Sequence, residues 1–162
     1  MSSFTKLILS SILIVSVQVF AQQASVDIKL RPAGSFTGKT PDVKGFATIK
    51  GDTVEASNIV VNLSKIETGV KLRDEHTRKH LTVDKFPEAI LVSAKGKGGQ
   101  GQGIVKIRGI EKPVTGTYKI EGDKLNAQFG VKLSEFGITG IKYMGIGVDD
   151  SAVVKVSVPV KK

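Results

Sequence analysis

His76 and His80 are the only two histidines in the chain and stand four residues apart. On a helix that spacing sets both rings on one face, where they could share a metal ion. A metal site needs more ligands than this. No third ligand is apparent in the sequence, and the Glu-first arrangement of zinc proteases is absent. Two imidazoles that hydrogen-bond where a helix meets a sheet are the plainer reading. With Tyr118 they are the only seeds of an acid–base constellation inside the fold. Gly38-Lys39-Thr40 ends like a phosphate-binding loop, but Ala33 occupies the position its first glycine needs and Pro41 follows where a helix should start. No serine or threonine stands in a nucleophile elbow. Asp149-Asp150 precedes a strand, where solvated turn residues are the ordinary occupants. Cysteine is absent, which removes thiol chemistry and disulfides. The chain therefore reads as a non-enzyme with no catalytic residue, cofactor or metal.

The element that carries the histidines breaks the pattern of everything around it. Residues 71–81 read as one short charged helix, with Asp74–Arg78 and Glu75–Lys79 as acid-before-base pairs four apart, and Phe86-Pro87 stops the segment. Leu72, His76 and His80 share a face, and His76 is expected to turn toward the sheet more than Arg73 or Arg78. Elsewhere apolar and polar residues alternate with period two. Val114, Gly116, Tyr118 and Ile120 form one stripe; Leu125, Ala127, Phe129, Val131 and Leu133 form another; Val154, Val156, Val158 and Val160 form a third. Along 53–66 the phase changes near Ser57-Asn58, which marks a bulge. Strands are expected at about 24–31, 34–39, 43–50, 53–66, 89–97, 102–110, 113–121 and 124–134, with 152–160 as a ninth. Gly51-Asp52, Gly122-Asp123 and the glycine-rich run from Gly96 to Gly103 supply hairpin turns.

Such strands, each with one apolar face, close most easily into a barrel or sandwich. The fold class expected is all-β, an antiparallel barrel or sandwich of about eight strands with one short helix. The inward residues are then Ile59, Val61, Leu63, Ile107, Tyr118, Phe129 and Val131, joined at the helix end by Leu72, His76 and Phe86. Asn62, Lys119 and Lys132 point outward. The inward stripes make either a side-chain-filled core or the lining of one ligand cavity.

Residues 1–21 read as a secretory signal peptide: Lys6 gives a positive start, Leu7 to Phe20 is mostly apolar, and Val19-Phe20-Ala21 forms a cleavage site. Residues 22–162 remain as one domain, periplasmic or secreted. The net charge of +9 favours contact with an anionic membrane surface or acidic polymer, although lysines scattered on exposed strand faces account for it as well. Aromatic residues make up 6% of the chain, too few to form stacking platforms for nucleic acid. Oligomeric state has no signature in the sequence.

Two blocks resemble the YceI-like family of exported β-barrel proteins. The first comprises Thr68-Gly69, Arg73-Asp74-Glu75-His76, Leu81 and Asp84-Lys85-Phe86-Pro87; the second is Ile107-Arg108-Gly109-Ile110-Glu111-Lys112-Pro113-Val114. A later Ser134-Glu135-Phe136-Gly137-Ile138 is similar to the family's penultimate strand region. The resemblance implies a lipocalin-like barrel with a helix packed near one end. It also implies a partner, an apolar lipid or isoprenoid chain held in the lumen. The alternative function is a non-enzymatic envelope interaction or stress protein that uses its basic surface and has a filled barrel.

Overall fold

The computed structural model describes residues 21–143 and 145–162. Apart from Ala21, the signal-peptide segment expected at 1–21 lies outside the described residues. The strands are β1 (Gln23–Arg31), β2 (Ser35–Thr40), β3 (Val43–Lys44), β4 (Ala47–Lys50), β5 (Thr53–Asn62), β6 (Glu88–Lys97), β7 (Gln100–Ile107), β8 (Ile110–Glu121), β9 (Lys124–Lys132), β10 (Lys142–Tyr143) and β11 (Ile146–Lys161). One helix, α1 (Lys71–Leu81), stands at the bounds expected from the sequence. Strands β4 to β9 pair in order, and β11 closes the ring by pairing with β9 and with β4, giving seven strands in the closed barrel. The all-β lipocalin-like barrel that the family resemblance implies is the architecture found.

Strand pairing makes the two ends unequal. Strand β11 meets β4 in parallel at Val160 and Lys161. Nearer its start, Ser157 back to Gly147 pair with β1 instead, and β1 pairs with β2. The β1–β2 hairpin thus takes the place of β4 beside β11 at one end, and Lys39 of β2 bridges to Glu67, beyond the end of β5. At that end α1 borders one cavity together with Leu133, Ile138, Ile141 and Lys142.

The phase change near Ser57-Asn58 is real. Asn58 takes a left-handed conformation at φ 51°, and β5 carries one residue more than β3–β4 opposite it. The irregularity passes to the next pair, where the β6–β7 register shifts between Leu91 and Ser93. Val54 and Ile59 both point inward as a result, at an odd spacing.

Three expected strands are redrawn. The 53–66 strand ends at Asn62, and Leu63–Lys65 form a 3₁₀ turn capped by the Asn62 side chain, whose Oδ1 accepts the Ser64 N–H at 3.0 Å. Asn62 is consequently half-buried rather than exposed, and its amide also donates to Asp42 Oδ2 at 2.9 Å. The 43–50 strand breaks at Gly45, which sits at φ 122°. The last strand starts six residues earlier than expected, at Ile146, because its first part pairs with β10 and β1.

Packing divides the interior into two halves. Toward the narrow end, Ala47, Val54, Leu125 and Val158 form a filled core with Tyr118 against it. Toward the helix, Ile28, Val105, Val131, Phe136, Ile138 and Ala152 are buried around open space. Charged residues stay outside, where lysines pair with acids, as in Lys50–Glu55–Lys95 and Lys155–Asp27.

Candidate functional site

Three apolar cavities follow one another along the barrel axis. The first, about 450 Å³, lies under α1 between Val26 and Ile28 of β1, Phe36 of β2, Leu81 of the helix, and Ile138 and Val148. The second, about 120 Å³, lies deeper, among Ile59, Val61, Leu63, Ile107, Phe129 and Val131. The third, about 80 Å³, sits beside Tyr118. Neighbouring cavities share walls. Val26, Gly38, Leu81, Leu133 and Ile138 border the first and second; Ile59, Leu91, Phe129 and Val156 border the second and third. The three voids thus adjoin one another from the helix-covered end toward the packed core. A concavity of about 710 Å³ on the outer face is larger, but Lys50, Glu55, Lys95 and Gln102 wall it, and it is a groove among solvated strand side chains.

Gly38 stands at the neck between the first two cavities. A Cβ there would lie 2.9 Å from Ile66 Cδ1 and 3.4 Å from Val26 Cγ1, so the Ile66 and Val26 side chains close onto this residue because it lacks a side chain. At the far end a Cβ on Gly96 would collide with Tyr118 Cε1, which is how the ring fits across the barrel.

The helix is fixed over the mouth by polar contacts. Its N-cap, Val70, has no side-chain acceptor. Asp74 serves instead: the Thr68 N–H and hydroxyl each donate to Asp74 Oδ1 at 2.6 Å. These bonds, the hydroxyl's first, hold the Asp74 carboxyl below its ordinary range. Arg78 donates to the Ile66 carbonyl at 3.0 Å, and the Arg73 guanidinium lies 4.8 Å from the Phe36 ring centroid. The expected order of facing is therefore corrected. Arg73 and Arg78 are half-buried and His76 is exposed, because the arginine stems lie along apolar surface and their planar heads find a ring and a carbonyl.

Of the residues singled out in the sequence, Ile59, Val61, Leu63, Ile107, Phe129 and Val131 gather around the second cavity. Leu72, 50% exposed, and His76 border the mouth. Tyr118 borders the third void. Phe86 lines none of the three. Its ring is 37% exposed and covers Gly109, where a Cβ would lie 3.2 Å away. Sequence reasoning missed Gly38, Val26, Leu91 and Ile138, and placed Leu133 in an apolar stripe without naming it in the lining. Val26 and Ile28 lay in a legible alternation; Ile138 and Ile141 sit in a loop with no period.

Arg73, His76, His80 and Lys142 border the mouth, and no acid does. Burial first, then the charges of His76 and Lys79, hold the His80 imidazole below its ordinary value. Among the described residues no three of His, Cys, Asp and Glu gather into a metal site.

The blocks that carried the family resemblance meet at this rim. Arg108 and Gly109 form the β7–β8 turn, both left-handed at φ 51° and 76°. The Arg108 guanidinium donates through Nη1 to the carbonyls of Phe136, at 3.1 Å, and Gly137. Phe86 packs on the same turn. Three separate stretches of chain are thereby tied together beside the helix.

No curated protein matches in sequence. Among solved structures, BcnA of Burkholderia cenocepacia superposes with a TM-score of 0.64 at 15% identity, over 84% of this chain and 94% of that one. A polyisoprenoid binding domain from Saccharophagus degradans, implicated in plant cell wall breakdown, gives 0.56 at 9% identity over 85% and 91%. The YCEI protein of Campylobacter jejuni gives 0.53 at 14% identity over 77% and 85%. At these identities the likeness is one of fold. The profile of the YceI-like domain matches residues 18–160, nearly the whole chain, and this protein belongs to the YceI-like domain family.

Proposed function

We propose that this protein is an exported lipid-binding module that holds one long apolar chain, isoprenoid-like in character, in the tunnel beneath α1. The observation that carries the reading is the run of three adjoining apolar cavities. The middle one is bordered by Ile59, Val61, Leu63, Ile107, Phe129 and Val131 and by no charged side chain. Its one buried hydroxyl, Thr40, already accepts the Asp42 N–H at 3.2 Å. Hydrocarbon is what such a lining favours, at about 0.8 kcal/mol for each CH₂ withdrawn from water. Membership of the YceI-like family and the likeness to a polyisoprenoid binding domain support the same reading. Binding rather than catalysis fits a lining without acid–base pairs. The apolar segment before Ala21 supports export.

Native mass spectrometry of protein purified from its own cell envelope tests the proposal. The expected result is a co-purifying lipid mass that is lost on delipidation and regained from a lipid extract. A protein that arrives empty and takes up no apolar chain of any length would overturn it.

A further inference from the structure

We propose that the outer wall of the barrel carries a second site, a groove across β4 to β8 that binds an extended acidic polysaccharide with one sugar ring over each strand. The site is separate from the tunnel and does not rest on the lipid-binding reading.

The groove is the concavity of about 710 Å³ on the outer face. Strand register sets its side chains in two rows. Thr48 of β4 stands opposite Glu55 of β5, Glu55 opposite Lys95 of β6, Lys95 opposite Gln102 of β7, and Gln102 opposite Thr115 of β8. Consecutive strands thus each give one polar side chain to a single line. The second row lies two residues along the strands, about 7 Å away. There Ser57, Ser93, Ile104 and Pro113 follow one another, and Phe46 stands at the head of the row, just before β4. All of these are exposed, Phe46 at 43% and Ile104 at 39%. The Lys161 ammonium lies over the Phe46 ring, 3.7 Å from its centroid, and steadies the ring at the edge of the groove.

The spacing points to the ligand. Neighbouring strands lie about 4.8 Å apart, so the polar line repeats at that interval over roughly 19 Å. The interval is close to the advance per ring of an extended chain of equatorially linked pyranoses. An extended peptide advances about 3.3 Å per residue and falls out of step with the strands. A flat bilayer does not reach the floor of a concave groove. A pyranose ring matches both rows at once: its hydroxyls meet Thr48, Gln102 and Thr115, and its apolar face meets Phe46, Ile104 and Pro113. Charge makes the chain an acidic one. Lys50 and Lys95 stand 2.5 Å and 3.6 Å from the same Glu55 carboxylate. Two cations to one acid leave the lining with a positive charge in excess, and Lys95 sits at the middle of the polar line. A carboxylate on the sugar chain supplies the missing counter-ion.

Calorimetric titration of the purified protein with β-1,4-linked glucuronic acid oligomers of increasing length tests the site. Affinity should rise with length until each of the five strands is covered and then level off. The neutral cellulose oligomer of five rings should bind about tenfold more weakly than its acidic counterpart. Pentaglutamate, of equal charge and different repeat, should not compete. Ser93→Trp fills the middle of the groove and Gln102→Ala removes one polar rung, both at exposed positions that leave the barrel intact. The first should abolish sugar binding and the second weaken it about fivefold, and neither should alter uptake of a neutral apolar probe by the tunnel. Competition by pentaglutamate or by anionic vesicles as strong as that of the sugar would mean general attraction of polyanions and overturn the proposal. An affinity that ignores chain length, or that survives in folded Ser93→Trp, would overturn it as well.

Discussion

Replacing Gly38 by valine should convert the tunnel into a shallow cup. The added side chain would drive Ile66, 2.9 Å from even a Cβ, toward the space between the 450 Å³ and 120 Å³ cavities. For the unmodified protein, affinity for a series of straight-chain alcohols should rise by about 0.8 kcal/mol per CH₂, roughly fourfold each, until the tunnel is full. In Gly38→Val the rise should stop at the length the mouth alone accepts. If five methylenes normally pass the neck, the loss for the longest chains is about 4 kcal/mol, on the order of a thousandfold in Kd. Crowding against Ile66 and Val26 should lower stability by roughly 1–3 kcal/mol, which a denaturant melt measures separately. The slope against chain length is the deciding quantity, since a loss of folded protein lowers every affinity but leaves the slope alone. A folded Gly38→Val whose slope follows the unmodified protein to the longest chain would refute the idea that chains pass this neck.

Val131→Asp should abolish lipid retention, because it sets an unpaired charge among hydrocarbon, whereas Lys119→Glu/Lys132→Glu should retain lipid and lose affinity for anionic vesicles; the reverse result would return the protein to the surface-interaction reading. Arg108→Ala leaves the Phe136 and Gly137 carbonyls without their donor and should cost about 2–3 kcal/mol in chemical denaturation, a value under about 0.5 meaning that the rim is held by other contacts. His80 titrates below 6.5 when folded, so the unfolded chain binds the proton more readily. Its contribution to stability is complete above pH 6.5 and is lost as pH falls through the lower folded value, and His80→Gln should flatten that part of a stability–pH curve. A separate loss should follow below the ordinary carboxylate range, as Asp27, Asp42, Asp149 and Asp150, all held low by hydrogen bonds and lysine or arginine partners, are protonated.

The barrel was legible because its strands alternate, and alternation is a property of single strands. The stripe Leu125-Ala127-Phe129-Val131 needs no partner to declare its inward face, and the helix declared itself by breaking the pattern. Even the bulge at Asn58 showed as a change of phase. What stayed hidden depends on more than one strand. The unequal ends follow from β11 exchanging β1 for β4 along its length, and nothing local in Val160 or Lys161 announces a parallel partner. Gly38 reads as one glycine among 18, and its place at the neck appears once Ile66 and Val26 converge on it. Phe86 was assigned inward as an aromatic beside the helix, yet its ring covers a hairpin turn that lies 23 residues on in the chain, at Gly109. The mouth cations were misordered because helical spacing gives a face and not a depth. Long arginine stems reach cover that the shorter His76 does not.

On the proposed reading, the packing around Ala47 and Val158, both wholly buried, leaves the helix-covered mouth as the tunnel's door. A cargo in such a tube goes in tail first and comes out head first by the same route. It cannot be passed through from one side to the other. Donor and acceptor must therefore meet the same face of the protein, one after the other, and each encounter must end before the next begins. On the proposed reading, turnover is governed by how long the helix-covered mouth stays docked, not by how fast a chain slides. A shuttle of this build works best when its grip on either membrane is weak.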